Sequence, residues 1–166
     1  GNYRETLWKA WGGDGPDILR DILALCDIAF INERGIALLV GTSLEPRTDA
    51  IARAFDAFEN LALVACPRRQ QDSISNQTLT GEIYRRDKQA ASRPQALANV
   101  IDRIGGGDAF AAGVLHGLIA GRSDQWTIDF ATTASAIKHS IPGDWNLTTA
   151  REVEDAMSEN GLDVRR

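Results

Sequence analysis

Cysteine, positive charge and long apolar runs are what this chain has little of. Its two cysteines, Cys26 and Cys66, stand forty positions apart with no Cys-x-x-Cys pair and no histidine nearby. That argues against a disulfide framework or a cysteine-based metal site and predicts buried thiols in a reducing cytosol. Acidic residues outnumber basic ones, 23 to 18, giving a net charge of −5. Such a balance speaks against a general nucleic-acid or membrane-surface partner, so an anionic substrate would need local arginines. No apolar run reaches membrane-spanning length, and no charged segment leading into an apolar one opens the chain, so a cytoplasmic location is expected. His116 and His139 lack metal-ligand company, which predicts surface or core roles. Both familiar phosphate motifs are missing too: no Lys-Ser or Lys-Thr closes a glycine loop, and no Gly-x-Gly-x-x-Gly spacing occurs.

What remains is enough for one core: 166 residues, 43% hydrophobic and 25% charged. Short apolar runs alternate with helical patterns. Helices are expected over 17–25, in a short stretch that follows Asn32-Glu33-Arg34-Gly35 and runs through Leu39, and from about Glu45 to Phe58. Ile18, Leu19, Ile22, Leu23 and Leu25 are predicted to face inward on the first of these. Strands are expected at 28–31 and 61–66, the second delivering Pro67, Arg68 and Arg69 to a loop. Leu79 to Tyr84 reads as an antiparallel strand, and 87–99 as a connection. A helix from Gln125 to about His139 is capped by Ser123 or Asp124. Its alanines 131, 134 and 136, with Ile137, allow close packing. A last helix runs from a Thr148 or Thr149 cap to about Glu159, ending at Gly161. No internal repeat is visible, and the alternation predicts a layered α/β domain with a mostly parallel sheet.

The stretch Val100-Ile101-Asp102-Arg103-Ile104-Gly105-Gly106-Gly107-Asp108-Ala109-Phe110 carries the chemistry. It places three glycines and a carboxylate before a helical pattern of Phe110, Val114, Leu115, Leu118 and Ile119. A helix start leaves backbone N–H groups unpaired with partial positive charge, and glycines let an anion come close, so phosphate suits the position. The same residues also suit a capped turn with no ligand.

Asp102-Arg103-Ile104-Gly105-Gly106-Gly107-Asp108-Ala109-Phe110 resembles the second signature of the ribokinase-like (PfkB) sugar kinases, Asp-Thr-x-Gly-Ala-Gly-Asp-x-Phe. Arg103 stands for the usual Thr, as in the 2-keto-3-deoxygluconate kinase branch, and Gly106 for the usual Ala. The resemblance covers nearly the whole chain, with gaps in the middle loop. It implies a layered α/β/α, Rossmann-like fold of which residues 1–166 would be the C-terminal part of one kinase domain, holding the ATP site and the catalytic base. The start at Gly1-Asn2-Tyr3-Arg4 fits a chain entering in mid-domain. The implied activity is phosphorylation of the terminal hydroxyl of 2-keto-3-deoxygluconate by MgATP, with ATP and a sugar acid as small-molecule partners. Neither nucleic acid nor membrane is implied, and a homo-oligomer is compatible. The alternatives are another ribokinase-like sugar kinase and an inactive nucleotide-binding or interaction fragment.

Residue by residue, the resemblance implies Asp108 as catalytic base and the N–H groups of Gly105, Gly106 and Gly107 as an anion hole. Asn2-Tyr3-Arg4 with Leu7-Trp8 is similar to an Asp-x-Asn-x-Arg-x-x-Leu-Trp stretch of the branch, without the leading Asp. It is expected to leave a strand and enter a loop, with Arg4 meeting the substrate acid or the nucleotide phosphates, as a guanidinium fork can. Lys138-His139-Ser140-Ile141-Pro142-Gly143-Asp144-Trp145-Asn146 is similar to a segment bordering ATP and the substrate acid. It makes Asp144 a substrate-binding candidate and Asn146 an ATP-binding one. Asn2, Asn32, Arg68, Gly105 and Gly107 complete the implied ATP contacts. Asn2–Arg4, Asn32 and the glycine turn would converge at strand C-terminal ends. In the family's Asn-x-x-Glu, Asn32 matches but Gly35 stands where Glu helps organise magnesium, so Glu33 substitutes or metal handling differs. No direct metal ligand is assigned.

Overall fold

The computed structural model describes residues 4–43, 46–71, 77–97 and 100–158. By its contacts the chain divides into two units, Gly1–Cys66 with Tyr84–Lys88, and Pro67–Ile83 with Gln89–Arg166. The expected helix start at Glu45 and the end at Gly161 lie outside the described residues.

In the first unit, Arg4 is the N-cap of α1 (Glu5–Trp11), so this segment leads into a helix rather than a loop. Gly12 ends that helix in the left-handed conformation. Asp14 then caps α2 (Gly15–Leu23), its carboxylate accepting the Asp17 N–H, with Pro16 in the first turn where no N–H is needed. β1 (Ile28–Phe30) pairs in parallel with the start of β2 (Leu63–Gln71), Ile28 opposite Leu63 and Phe30 opposite Ala65. Between them run α3 (Glu33–Val40) and α4 (Arg47–Ala57). Ile36, Leu39, Ile51, Ala54, Phe55, Phe58, Leu61 and Val64 form one core. The inward set expected for α2 is corrected: Leu19 and Leu23 pack against this core, whereas Ile18, Ile22 and Leu25 are exposed.

In the second unit, the rest of β2 lies beside β3 (Gln77–Tyr84), and β3 lies beside both β4 (Gln89–Ala91) and β5 (Gln95–Leu97). β3 and β5 are antiparallel, Thr78 opposite Ala96. The sheet is thus mixed: β1 and β2 supply the parallel pairing expected of crossover connections. The stretch read as a plain connection contains two short strands. Its polar sequence hid them because their burial alternates over only three residues each.

Two helices dominate this unit, α5 (Gly106–Ile119) and α6 (Asp124–Lys138). Ser123 caps α6 through the Trp126 N–H at 3.2 Å. The pair approaches closely because its facing residues are small. A Cβ on Gly113 would sit 2.6 Å from the Ala131 Cα, and one on Gly117 would overlap Thr127. On α5, Phe110 and Val114 are buried, while Leu115 and Ile119 face solvent, contrary to their helical spacing. α7 (Ala150–Ser158) follows a reciprocal cap: Thr149 Oγ1 accepts the Glu152 N–H, and Glu152 accepts the Thr149 N–H. Val153 then packs with Phe130 and Ala134.

Candidate active site

The glycine turn lies in the second unit, between the C-terminal end of α6 and the 141–146 loop. Gly105 takes φ +76°, the left-handed region, as N-cap of α5, and Gly106 and Gly107 form the first helical turn. A left-handed glycine here is required twice over. Its φ disfavours any L side chain, and a Cβ would run into the Asp144 carbonyl oxygen and stand 3.0 Å from Lys138 Cε. Gly106 packs against the His139 ring, 2.8 Å from a Cβ position, whereas nothing lies within 4 Å of one on Gly107. Space for a ligand therefore opens at Gly107.

Asp108 is exposed at the third position of α5. The helix has no side-chain cap, so Asp108 is not the cap that its sequence position also allowed. Of the three glycine amides, Gly106 N–H points to the Arg103 carbonyl at a long 3.4 Å, and Ala109 N–H bonds the Gly105 carbonyl at 2.8 Å. Gly105, Gly107 and Asp108 amides show no backbone acceptor among the described residues. These groups, with the helix dipole, can hold an anion.

The turn is braced from behind by residues that the sequence reading passed over. Asp102 accepts the Ile104 N–H at 2.9 Å with one carboxylate oxygen and the Gly143 N–H at 2.8 Å with the other. These backbone hydrogen bonds hold its carboxyl below the usual range against the opposing effect of desolvation, with a lesser contribution from the Lys138 charge. Ser135 Oγ donates to the Gly106 carbonyl at 2.8 Å. The His139 carbonyl accepts the Ile101 and Asp102 N–H groups, while its ring Nδ1 lies 2.7 Å from the Ser135 carbonyl. His139 is thus a core residue. His116 stacks on Phe130 at 4.8 Å, and neither histidine joins a metal cluster among the described residues.

Asp144 is exposed and its backbone oxygen abuts Gly105, so the Asp144 loop and the glycine turn are brought together. Asn146 is half-buried and accepts the Thr148 N–H at 3.2 Å. Arg68 is exposed within β2, not in a loop, and its carbonyl accepts Thr80 Oγ1 at 3.4 Å. Pro67 suggested a strand end, but the strand continues through this exposed, polar half. Its neighbour Arg69 has a guanidinium pulled below the usual range by burial and by the like charge of Arg103. The two like charges therefore act on one another near the turn, a coupling that no sequence spacing announces.

The first unit holds Arg4 and Asn32, while Asn2 lies outside the described residues. Arg4 is exposed. Asn32 is the N-cap of α3, its Oδ1 accepting the Gly35 N–H at 3.0 Å. A Cβ on Gly35 would stand 2.7 Å from Ile31 Cγ1, so this chain has no ready room for Glu at that position. Glu33 is committed to Arg47 at 2.9 Å. Burial raises its carboxyl, but the ion pair and hydrogen bonds outweigh that and leave it below the usual range.

A 2-dehydro-3-deoxygalactonokinase of Haloferax volcanii is 27% identical over 166 residues, covering 98% of this chain and 48% of its own. A PfkB family carbohydrate kinase from Listeria grayi superposes with a TM-score of 0.85 at 30% identity, over 96% of this chain and 49% of its own. An Enterococcus faecalis protein described as a 2-keto-3-deoxygluconate kinase gives a TM-score of 0.82 at 32% identity, over 99% and 50%. The chain spans about half the length of these relatives. Residues 1–149 match the pattern of the family described as pfkB family carbohydrate kinase, and the chain belongs to that family.

Proposed function

We propose that the chain is the C-terminal part of an ATP-dependent sugar kinase that phosphorylates the terminal hydroxyl of 2-keto-3-deoxygluconate. The observation that carries this reading is Asp108, exposed in the first turn of a helix where its own amide and that of Gly107 show no backbone acceptor among the described residues, one residue beyond the open face of Gly107. The names of the Haloferax and Enterococcus relatives support a 2-keto-3-deoxy sugar acid. The like charges of Arg69 and Arg103, which act on one another, favour an anionic substrate whose charge would offset theirs.

Asp108 takes the proton of the sugar hydroxyl as its oxygen attacks the γ-phosphorus of ATP. The new O–P bond forms, the bond from that phosphorus to the β,γ-bridging oxygen breaks, and ADP leaves with the electron pair. Amides at the α5 start hold the charge on the transferred phosphoryl oxygens. Arg4 and Asp144 serve the sugar acid; Asn2, Arg4, Asn32, Arg68 and Asn146 serve ATP. Among the described residues no group of three potential ligands gathers. The magnesium ion that the kinase reading implies would be held mainly by the nucleotide phosphates and water, where its charge would neutralise theirs. The location expected is cytoplasmic; no helix among the described residues is long and apolar enough to cross a membrane.

Asp108→Asn should lower turnover by at least ~100-fold while ATP binding stays nearly intact. Wild-type turnover would remove Asp108 as the base. A coupled assay over sugar acids and neutral sugars tests the substrate, and preference for a neutral sugar would overturn the acid. The crowding at Gly35 and the commitment of Glu33 to Arg47 favour a second reading, nucleotide binding without turnover. ATP binding by a wild-type chain inactive on the whole panel would establish it.

A further inference from the structure

A buried cation lies behind the candidate phosphate cradle. Lys138, in the last turn of α6, has 0% of its surface exposed and is among the largest fully buried side chains. Its Nζ donates to the Ile141 carbonyl at 2.8 Å, and its Cε lies 3.0 Å from where a Gly105 Cβ would stand. Its charge also acts on Asp102, whose carboxylate bonds Ile104 on the glycine turn and Gly143 on the 141–146 loop. A lysine so deeply buried is costly unless its donors and charge are matched.

We propose that Lys138 is a positioning residue, an internal cation that ties the 141–146 loop to the glycine turn and thereby sets the spacing of Asp108, the α5 amides and Asp144. The inference rests on the kinase reading for its catalytic consequence, while its structural half stands on the hydrogen bonds alone. Without the ammonium group, the Ile141 carbonyl loses its donor and Asp102 loses its counter-charge. The two loops then separate or sample several spacings. Transferring a phosphoryl group depends on positioning, so turnover falls even though Lys138 touches no substrate.

The test compares Lys138→Met, which keeps an unbranched side chain of similar bulk without the charge, with wild type and Asp108→Asn in the full-length enzyme. Hydrogen exchange at the Ile104 and Gly143 amides should quicken about 10-fold or more in Lys138→Met, while the interior of α6 stays protected. Turnover should fall about 10-fold or more with a smaller change in KM. In Lys138→Ala, added ammonium or methylammonium should restore part of the turnover, and it should restore none in Asp108→Asn. Exchange and turnover within twofold of wild type in Lys138→Met overturn the proposal, even where Asp108→Asn is inactive. Full turnover in Asp108→Asn overturns the base assignment instead, and leaves the exchange result to judge the clamp. Should Lys138→Met fail to fold, Asp102→Asn replaces it: faster Gly143 exchange is expected, and unchanged exchange overturns the proposal.

Discussion

Gly105 and Gly107 sit two residues apart yet differ in what they tolerate. An alanine at 105 takes on a left-handed backbone, which costs an L residue about 1–2 kcal/mol, and drives a Cβ against the Asp144 carbonyl. The same change at 107 enters open space on a helix. Gly105→Ala should therefore lose about 2 kcal/mol or more in a denaturant titration, and Gly107→Ala less than about 0.5 kcal/mol. Equal losses would mean that the turn yields at 105 and does not brace the Asp144 loop. The glycine triplet and Asp108 stood out in the sequence because local spacing announces a helix start. Which glycine was crowded did not, because the crowding comes from Asp144 and Lys138, distant in sequence. Lys138 did leave a signal: it continues the spacing of Ala131 and Ala134, a buried face on which a charge demands a partner.

At the scale of elements, the α5–α6 pair depends on small residues where the helices meet. Gly113→Val would push a branched side chain into the Ala131 backbone, and overpacking of this kind costs about 1–3 kcal/mol. The expected outcome is a Tm lowered by several degrees, with the start of α5 still helical by hydrogen exchange. A Tm equal to wild type would show that the helices can part without penalty. The alanine-rich pattern of α6 predicted this closeness, and the Ser123 and Thr149 caps were legible because capping is chemistry between near neighbours. Periodicity failed where burial is decided by what packs on top. It identified an apolar stripe on α2 and α5, but not that Ile22, Leu25 and Ile119 meet solvent. Nor could it see that β2 runs on past Pro67, since a strand's polar half is held by its neighbour's backbone.

Across the whole molecule, carboxylates set the response to acid. Asp102 is held below the usual range by the Ile104 and Gly143 amides, Glu33 by Arg47 despite burial, Glu5 by Lys9 and Glu152 by Thr149. For each, the folded state favours the ionised form more than the unfolded chain does. The stabilisation is therefore complete above the unfolded values, near pH 4, and is lost as pH falls through the lower folded ones. Below the pI near 5.0 the net charge turns positive and grows as the acids protonate, so self-repulsion adds to the loss. Tm should hold steady from about pH 7 to 5 and drop progressively below about pH 4. Asp102→Asn, which keeps the shape but not the charge, should lower Tm at pH 7 and flatten the fall below pH 4, because its share of the linkage has been removed at every pH. A fall as steep as wild type would place the acid sensitivity in the other carboxylates. It would also leave the two loops held by backbone hydrogen bonds whose strength does not depend on the Asp102 charge.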